Sequence, residues 1–213
     1  MKSGLIKLVN VNQSAFIPRI FFQDIILITQ ELLRGYNRKN GQNRCAMKID
    51  VQNAYDTVNW DFLSENLKKF GFHSKMVHWI MTCVFSCGYS ICINGDRYRY
   101  FKGGKGLRQC DSISPYLFNL VIQKNVLESH SFKYHQSCKD MMLTHLCFVG
   151  DLLVLCHGDS GYVEVVKKSL DDFSLVSGLH PNMNKSTIFF RILNEGERAR
   201  ILNSLEKKGK AKA

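Results

Sequence analysis

The chain has 213 residues, 45% of them hydrophobic, enough to bury one sizeable core and consistent with one domain of one or two lobes. No stretch is long and apolar enough for a signal peptide or a membrane span, and eight cysteines without a C-x-x-C pair exclude the common zinc patterns. On charge alone, +11 fits an anionic partner, nucleic acid first, and a basic protein without one equally well. Cys45, Cys92, Cys147 and Cys156 sit inside apolar runs and read as reduced, buried thiols, which points to an intracellular protein of the nucleus or cytoplasm.

In chain order, an apolar-rich stretch from Asp24 to Tyr36 predicts a helix, followed by a basic, Gly/Asn-rich loop over 34–44. Residues 45–51 (CAMKIDV) read as a strand ending near Asp50. Asn59 is placed to cap a helix over 60–70 that Gly71 ends, and Ser74 to cap a second over 75–85. Asn94-Gly95-Asp96 between residues 89–94 and 97–102 predicts a hairpin. Strict alternation in its second strand puts Arg97 and Arg99 on one face and Tyr98 and Tyr100 on the other. Ser114 and Pro115 open another helix after a glycine-rich loop. Residues 143–156 (LTHLCFVGDLLVLC) are two apolar runs around Gly150-Asp151, a buried hairpin with one acid at its tip. An amphipathic helix over 162–177 ends at Gly178, a short strand covers 186–190, and the chain finishes in a basic tail. Hairpins alternating with helices predict an α+β fold, helices against an antiparallel sheet.

Burying a lone carboxylate is costly unless a metal ion or a second group compensates it. Asp50, also at the end of an apolar strand, is the natural partner of Asp151. Carboxylates on adjacent strands can hold two divalent cations about 4 Å apart, and Mg²⁺ suits oxygen ligands and phosphates. By spacing alone, two unrelated solvent-facing acids are the better reading.

Five ordered segments shift that balance. Residues 48–60 (KIDVQNAYDTVNW) resemble the first catalytic motif of reverse transcriptases from LINE-type, non-LTR retrotransposons, as found in plant genomes. Residues 106–115 (GLRQCDSISP) resemble the family's GLRQGDPISP, and 143–153 its LTHLxFADDLL. Residues 178–186 (GLHPNMNKS) resemble its lysine-bearing motif, and 13–18 (QSAFIP) a fingers motif.

The resemblance implies a polymerase palm (45–190) with partial fingers (1–44), a helical and basic tail (191–213), and no thumb. It implies Asp50 and Asp151 as catalytic metal ligands for Mg²⁺, with Mn²⁺ as the alternative. Lys185 would approach the triphosphate. Tyr55 would gate the sugar, and Arg108 and Gln109 would line the nucleotide pocket. RNA template, DNA primer and deoxynucleoside triphosphates would be the partners. Arg97, Arg99, Lys102 and Lys105 are the candidate nucleic-acid contacts, with Tyr98 and Tyr100 as stacking groups, although a half-exposed strand would look the same.

Departures from the family pattern point to a catalytically impaired or inactive domain, or to a non-catalytic nucleic-acid-binding module on the same fold. Gly150 replaces the first tip acid, the ligand shared by both metals, and supplies no side-chain oxygen. Cys110 replaces a glycine and Ser112 a proline, and Arg19 and Ile20 stand where the fingers motif reads Gly-Arg.

Overall fold

The computed structural model describes residues 22–34, 43–123, 145–148, 151–205 and 211–212. The fingers motif at 13–18, Arg19, Ile20 and Gly150 lie outside the described residues.

Strands β1 (Arg44–Gln52), β4 (His145–Phe148), β5 (Asp151–His157), β6 (His180–Arg191) and β7 (Ala211–Lys212) form one sheet in the order β4-β5-β1-β6-β7. All its pairings are antiparallel except β6 with β7. Strands β2 (Gly88–Ile93) and β3 (Asp96–Lys102) make a separate two-stranded sheet. The helices are α1 (Phe22–Leu33), α2 (Trp60–Lys69), α3 (Ser74–Phe85), α4 (Ser114–Gln123), α5 (Ser160–Ser177) and α6 (Glu195–Ser204).

The period-2 pattern of β1 splits the core between two faces of the sheet. Cys45, Met47 and Ile49 point with Val154, Cys156, Ile188 and Phe190 into the main core, which Leu63 and Leu67 of α2, Phe118 of α4 and Val166 of α5 complete. Each fully buried leucine there contributes roughly 1.5–3 kcal/mol. Ala46 and Leu155 point the other way, where Leu32 of α1 covers them together with Leu146. Helix α6 adds Ile201, and Leu205 just after its end, to the main core.

Local chemistry sets most boundaries. The Asn59 carboxamide oxygen accepts from the backbone N–H groups of Asp61 and Phe62 at 2.8 and 3.1 Å, satisfying two otherwise unpaired donors at the start of α2. Gly178 ends α5 with φ +76°, and a Cβ there would run into the Thr57 carbonyl.

Four expectations need correction. The cap of α3 is His73, whose Nδ1 accepts from the Lys75 N–H at 3.3 Å, and Ser74 is already helical. Strand β6 runs over His180–Arg191 rather than 186–190, because a register break lets its start pair with the end of β1. Cys92 is exposed, since every residue of β2 faces solvent.

The β2–β3 hairpin also departs from strict alternation. Its turn is as expected, with Asn94 at φ +52° and Gly95 at φ +93°. Ser90 pairs with Tyr100 but Ile91 pairs with Tyr98, so Arg99 is an extra, bulged residue, at φ +48°. A one-residue bulge reverses the facing of everything beyond it. Tyr98 and Tyr100 therefore lie on opposite faces, and Arg97 shares the face of Tyr100.

Candidate active site

Asp50 and Asp151 are directly opposed Cα partners at one end of the β1–β5 ladder. Directly opposed residues of an antiparallel pair project to the same face. Here that face also carries Lys48 and Ala46, and α1 covers only its far part, through Leu32 on Ala46 and Leu155. Both carboxylates are part-exposed at the uncovered end.

Like charges in this position repel by up to about 1 kcal/mol. Lys48 stands diagonally across, two residues before Asp50, and its Nζ lies 2.9 Å from Asp151 Oδ2. With side-chain exposures of 52% and 40%, the pair contributes at most about 1 kcal/mol, enough to offset the repulsion and too little to lock the site.

The backbone of Asp50 is held from the other side. Its N–H donates to Ser186 Oγ at 3.1 Å, and the same hydroxyl donates to the Asn182 carbonyl at 2.6 Å. Asn182 is the Cα partner of Asp50, while Lys48 pairs with Thr187, so residues 183–186 bulge out of β6 beside the carboxylates. Lys185 sits in this bulge, exposed, with its N–H on Asn182 Oδ1 at 3.2 Å. The bulge thus brings Lys185 to the same end of the sheet as the two acids.

The donor set fits one hard cation. Mg²⁺ needs only one or two carboxylates when waters and phosphates complete its shell, and Asp50 with Asp151 supply two. Residue 150 is glycine, and among the described residues no group of three His, Cys, Asp or Glu side chains is close enough to hold a metal.

A second cluster lies after the end of β1. A cavity of about 470 Å³ is lined by Tyr55, Gln109, Cys110, Asp111, Ser114 and Tyr116, among others. Tyr55 forms its floor by stacking on Phe118, with ring centroids 4.9 Å apart. Burial, then the nearby Cys147, pushes its phenol above the usual range. The lining loop is stitched to the turn after Asp50: Leu107 N–H donates to the Tyr55 carbonyl at 2.6 Å and Gly106 N–H to that of Val58 at 2.8 Å. Gly106 is obligatory, because at φ +87° a Cβ would stand 2.6 Å from the Asp56 carbonyl oxygen. Gln109 Nε2 donates to Asp56 Oδ1 at 3.0 Å, which fixes the amide at the cavity edge.

Cys110 takes a left-handed backbone, φ +64°. Glycine adopts this conformation without strain, whereas a residue with a Cβ is strained in it, and Cys110 carries its thiol into the cavity lining.

The remaining candidates do not converge on these clusters. Arg108 is exposed and outside the cavity lining. Arg97, Arg99 and Lys102 are exposed on the hairpin, and Lys105 lines a different cavity beside Trp60, Phe85 and His180. Sequence reasoning missed Lys48 and Asp56. Lys48 was legible as the residue two positions before Asp50 on the same strand face, whereas no local signal pairs Asp56 with Gln109, 53 residues away.

Residues 3–209 match the protein family described as reverse transcriptase (RNA-dependent DNA polymerase). The chain is 25% identical over 173 residues to the retrovirus-related Pol polyprotein from type-2 retrotransposable element R2DM of Drosophila melanogaster, a match covering 81% of this chain and 16% of that protein. It is 27% identical over 122 residues to the corresponding polyprotein from type-1 retrotransposable element R2 of Popillia japonica, covering 55% of this chain and 20% of that one. The chain thus spans a fifth or less of these relatives. Among solved structures, apo telomerase from Candida tropicalis, truncated from its C-terminal domain, superposes with a TM-score of 0.59 at 15% identity, covering 91% of this chain and 39% of that one. Telomerase from Candida albicans gives 0.58 at 12% identity, covering 90% and 32%. These likenesses identify the α+β fold as that of a polymerase palm. The chain belongs to the reverse transcriptase (RNA-dependent DNA polymerase) family, as a domain of the non-LTR retrotransposon type.

Proposed function

We propose that this chain is a reverse transcriptase palm whose metal site is impaired, so that nucleic-acid handling outlasts catalysis. The observation that carries the reading is the direct opposition of Asp50 and Asp151 beside a glycine at 150. Reverse transcriptases use divalent metal ions, which activate a 3′-hydroxyl and stabilise the leaving pyrophosphate. Asp50 and Asp151 would hold such an ion, Mg²⁺ or Mn²⁺, without a side chain from residue 150. Loss of an outer-shell partner alone typically costs a metal site about 10–100-fold, and loss of a bridging ligand should cost more.

The family resemblance suggests the other roles. Tyr55, propped by Phe118, would lie under the incoming sugar and reject a 2′-hydroxyl by contact. Gln109, held by Asp56, would face the nucleotide, with Arg108 at the phosphate or template side. Lys185, in the β6 bulge, would approach the triphosphate. RNA template, DNA primer and deoxynucleoside triphosphates are the implied partners. The +11 charge supports nucleic-acid binding, and a structural neighbour from Candida tropicalis (TM-score 0.56) was solved in complex with a fragment of telomeric RNA. Residues 1–44 would belong to the fingers, 45–190 to the palm and 191–213 to the tail.

Primer extension on an RNA template, with Mg²⁺ and then Mn²⁺, tests this. Wild type is expected to extend the primer weakly or not at all, and Gly150→Asp to extend it measurably better. Robust, processive synthesis by wild type would sink the impaired reading. No gain in Gly150→Asp, even combined with Cys110→Gly, would place the defect outside these two positions.

A further inference from the structure

We infer that the Tyr100 face of the β2–β3 hairpin is a platform for single-stranded nucleic acid, on which Tyr100 stacks a base while Arg97 and Lys102 hold the flanking phosphates. The inference deepens the nucleic-acid reading above and rests on it.

The bulge at Arg99 creates this face. The pairs Gly88–Lys102, Ser90–Tyr100 and Cys92–Arg97 place Lys102, Tyr100 and Arg97 together. Two side-chain observations agree. Tyr100 lies across Gly88, where a Cβ would collide with its ring, so the ring is on the Gly88 and Ser90 side. Tyr89 stacks on its partner Phe101, centroids 5.8 Å apart, on the opposite side.

The two faces differ in kind. Tyr89, Ile91, Ile93, Tyr98 and Phe101 gather on one face, and its base approaches the body of the protein, where a Cβ on Gly103 would stand 3.1 Å from the Tyr89 ring and 3.5 Å from Trp60. The other face carries a single large aromatic, Tyr100, 70% exposed, between two exposed cations and no acid. Tyr100 is three residues from Arg97 and two from Lys102, no more than about 10 and 7 Å along the strand. That spacing lets both cations reach the phosphates on either side of a base stacked on the ring.

Charge and stacking together select the occupant. A protein partner would find little apolar area on this face, whereas a polyanion with accessible base planes satisfies every group on it. Bases inside a duplex cannot lie flat on an exposed ring, so the strand must be single.

The test is fluorescence anisotropy of a labelled 12-nucleotide oligo(dT) or oligo(rU), without divalent metal, so that its outcome is independent of whether the chain polymerises. Tyr100→Ala is expected to weaken binding roughly 5-fold or more, since base–aromatic stacking is worth about 1–3 kcal/mol. Tyr98→Ala, on the apolar face, should leave affinity unchanged. Arg97→Gln with Lys102→Gln should reduce the slope of log affinity against log salt by about 1.4, at about 0.7 per phosphate contact. All these side chains are exposed, so the substitutions spare the core. Unchanged affinity in Tyr100→Ala, or an equal loss in Tyr98→Ala, overturns the inference, as does preference for a duplex of the same length. Photocrosslinking to 5-iodouracil in the same oligonucleotide gives a second readout. An adduct on Tyr100 supports the platform, and adducts confined to Tyr89 or Tyr98 refute it.

Discussion

His145 makes stability depend on pH in a window that can be worked out in advance. It lies on β4, paired with Val154, and is 5% exposed. Burial lowers its pKa from 6.5 to about 4, because the charged imidazolium cannot be solvated there. The unfolded chain therefore binds a proton that the folded chain rejects over the interval from about 6.5 down to about 4. Stability tied to this group is fully present above 6.5 and is lost as pH falls through that interval. A shift of this size, at 1.36 kcal/mol per unit, corresponds to about 3 kcal/mol. A typical domain has only about 5–15 kcal/mol in total, so the loss matters. Urea denaturation of wild type and His145→Gln, at half-unit steps from pH 7 to pH 4, isolates the effect, since other titrating groups contribute equally to both. The wild-type curve is expected to fall relative to the variant by about 3 kcal/mol across the interval. Parallel curves would refute the buried, neutral histidine.

Two further outcomes follow from the site. Cys110→Gly should stabilise the chain by about 0.5–1 kcal/mol, because relief of a left-handed side-chain backbone, worth roughly 1–2 kcal/mol, exceeds the roughly 0.4–1 kcal/mol that glycine's extra freedom adds to the unfolded state. A lower urea midpoint would instead show that the thiol packs usefully in the cavity wall. Lys48→Met should change stability by less than about 1 kcal/mol, since both members of its pair with Asp151 are half-exposed. A loss above about 2 kcal/mol by the same measurement would mean that the carboxylates repel more strongly than opposed surface charges do.

The sequence by itself determined whatever depends on a few neighbouring residues. Asn59 and Gly178 marked helix ends because a cap hydrogen bond and a left-handed turn are local events. Asn94-Gly95 marked a hairpin turn for the same reason. The apolar runs around residue 50 and residue 151 marked two strands, and the family motifs within them pointed to their pairing, which the register bears out.

Tertiary structure decided what depends on a partner far along the chain. Strand β6 begins at His180 rather than near 186 because β1 offers it a ladder on both sides of a bulge, and Lys185 lies in that bulge, next to the end of β1 that carries Asp50. The Lys48–Asp151 pair and the Gln109–Asp56 bond join residues about a hundred and about fifty positions apart, beyond any periodicity. The facing of the hairpin was misread for the same physical reason. Side-chain alternation is a property of the strand alone, but a bulge is a property of the pair, and one extra residue at Arg99 moved Tyr100 onto the face that carries Arg97.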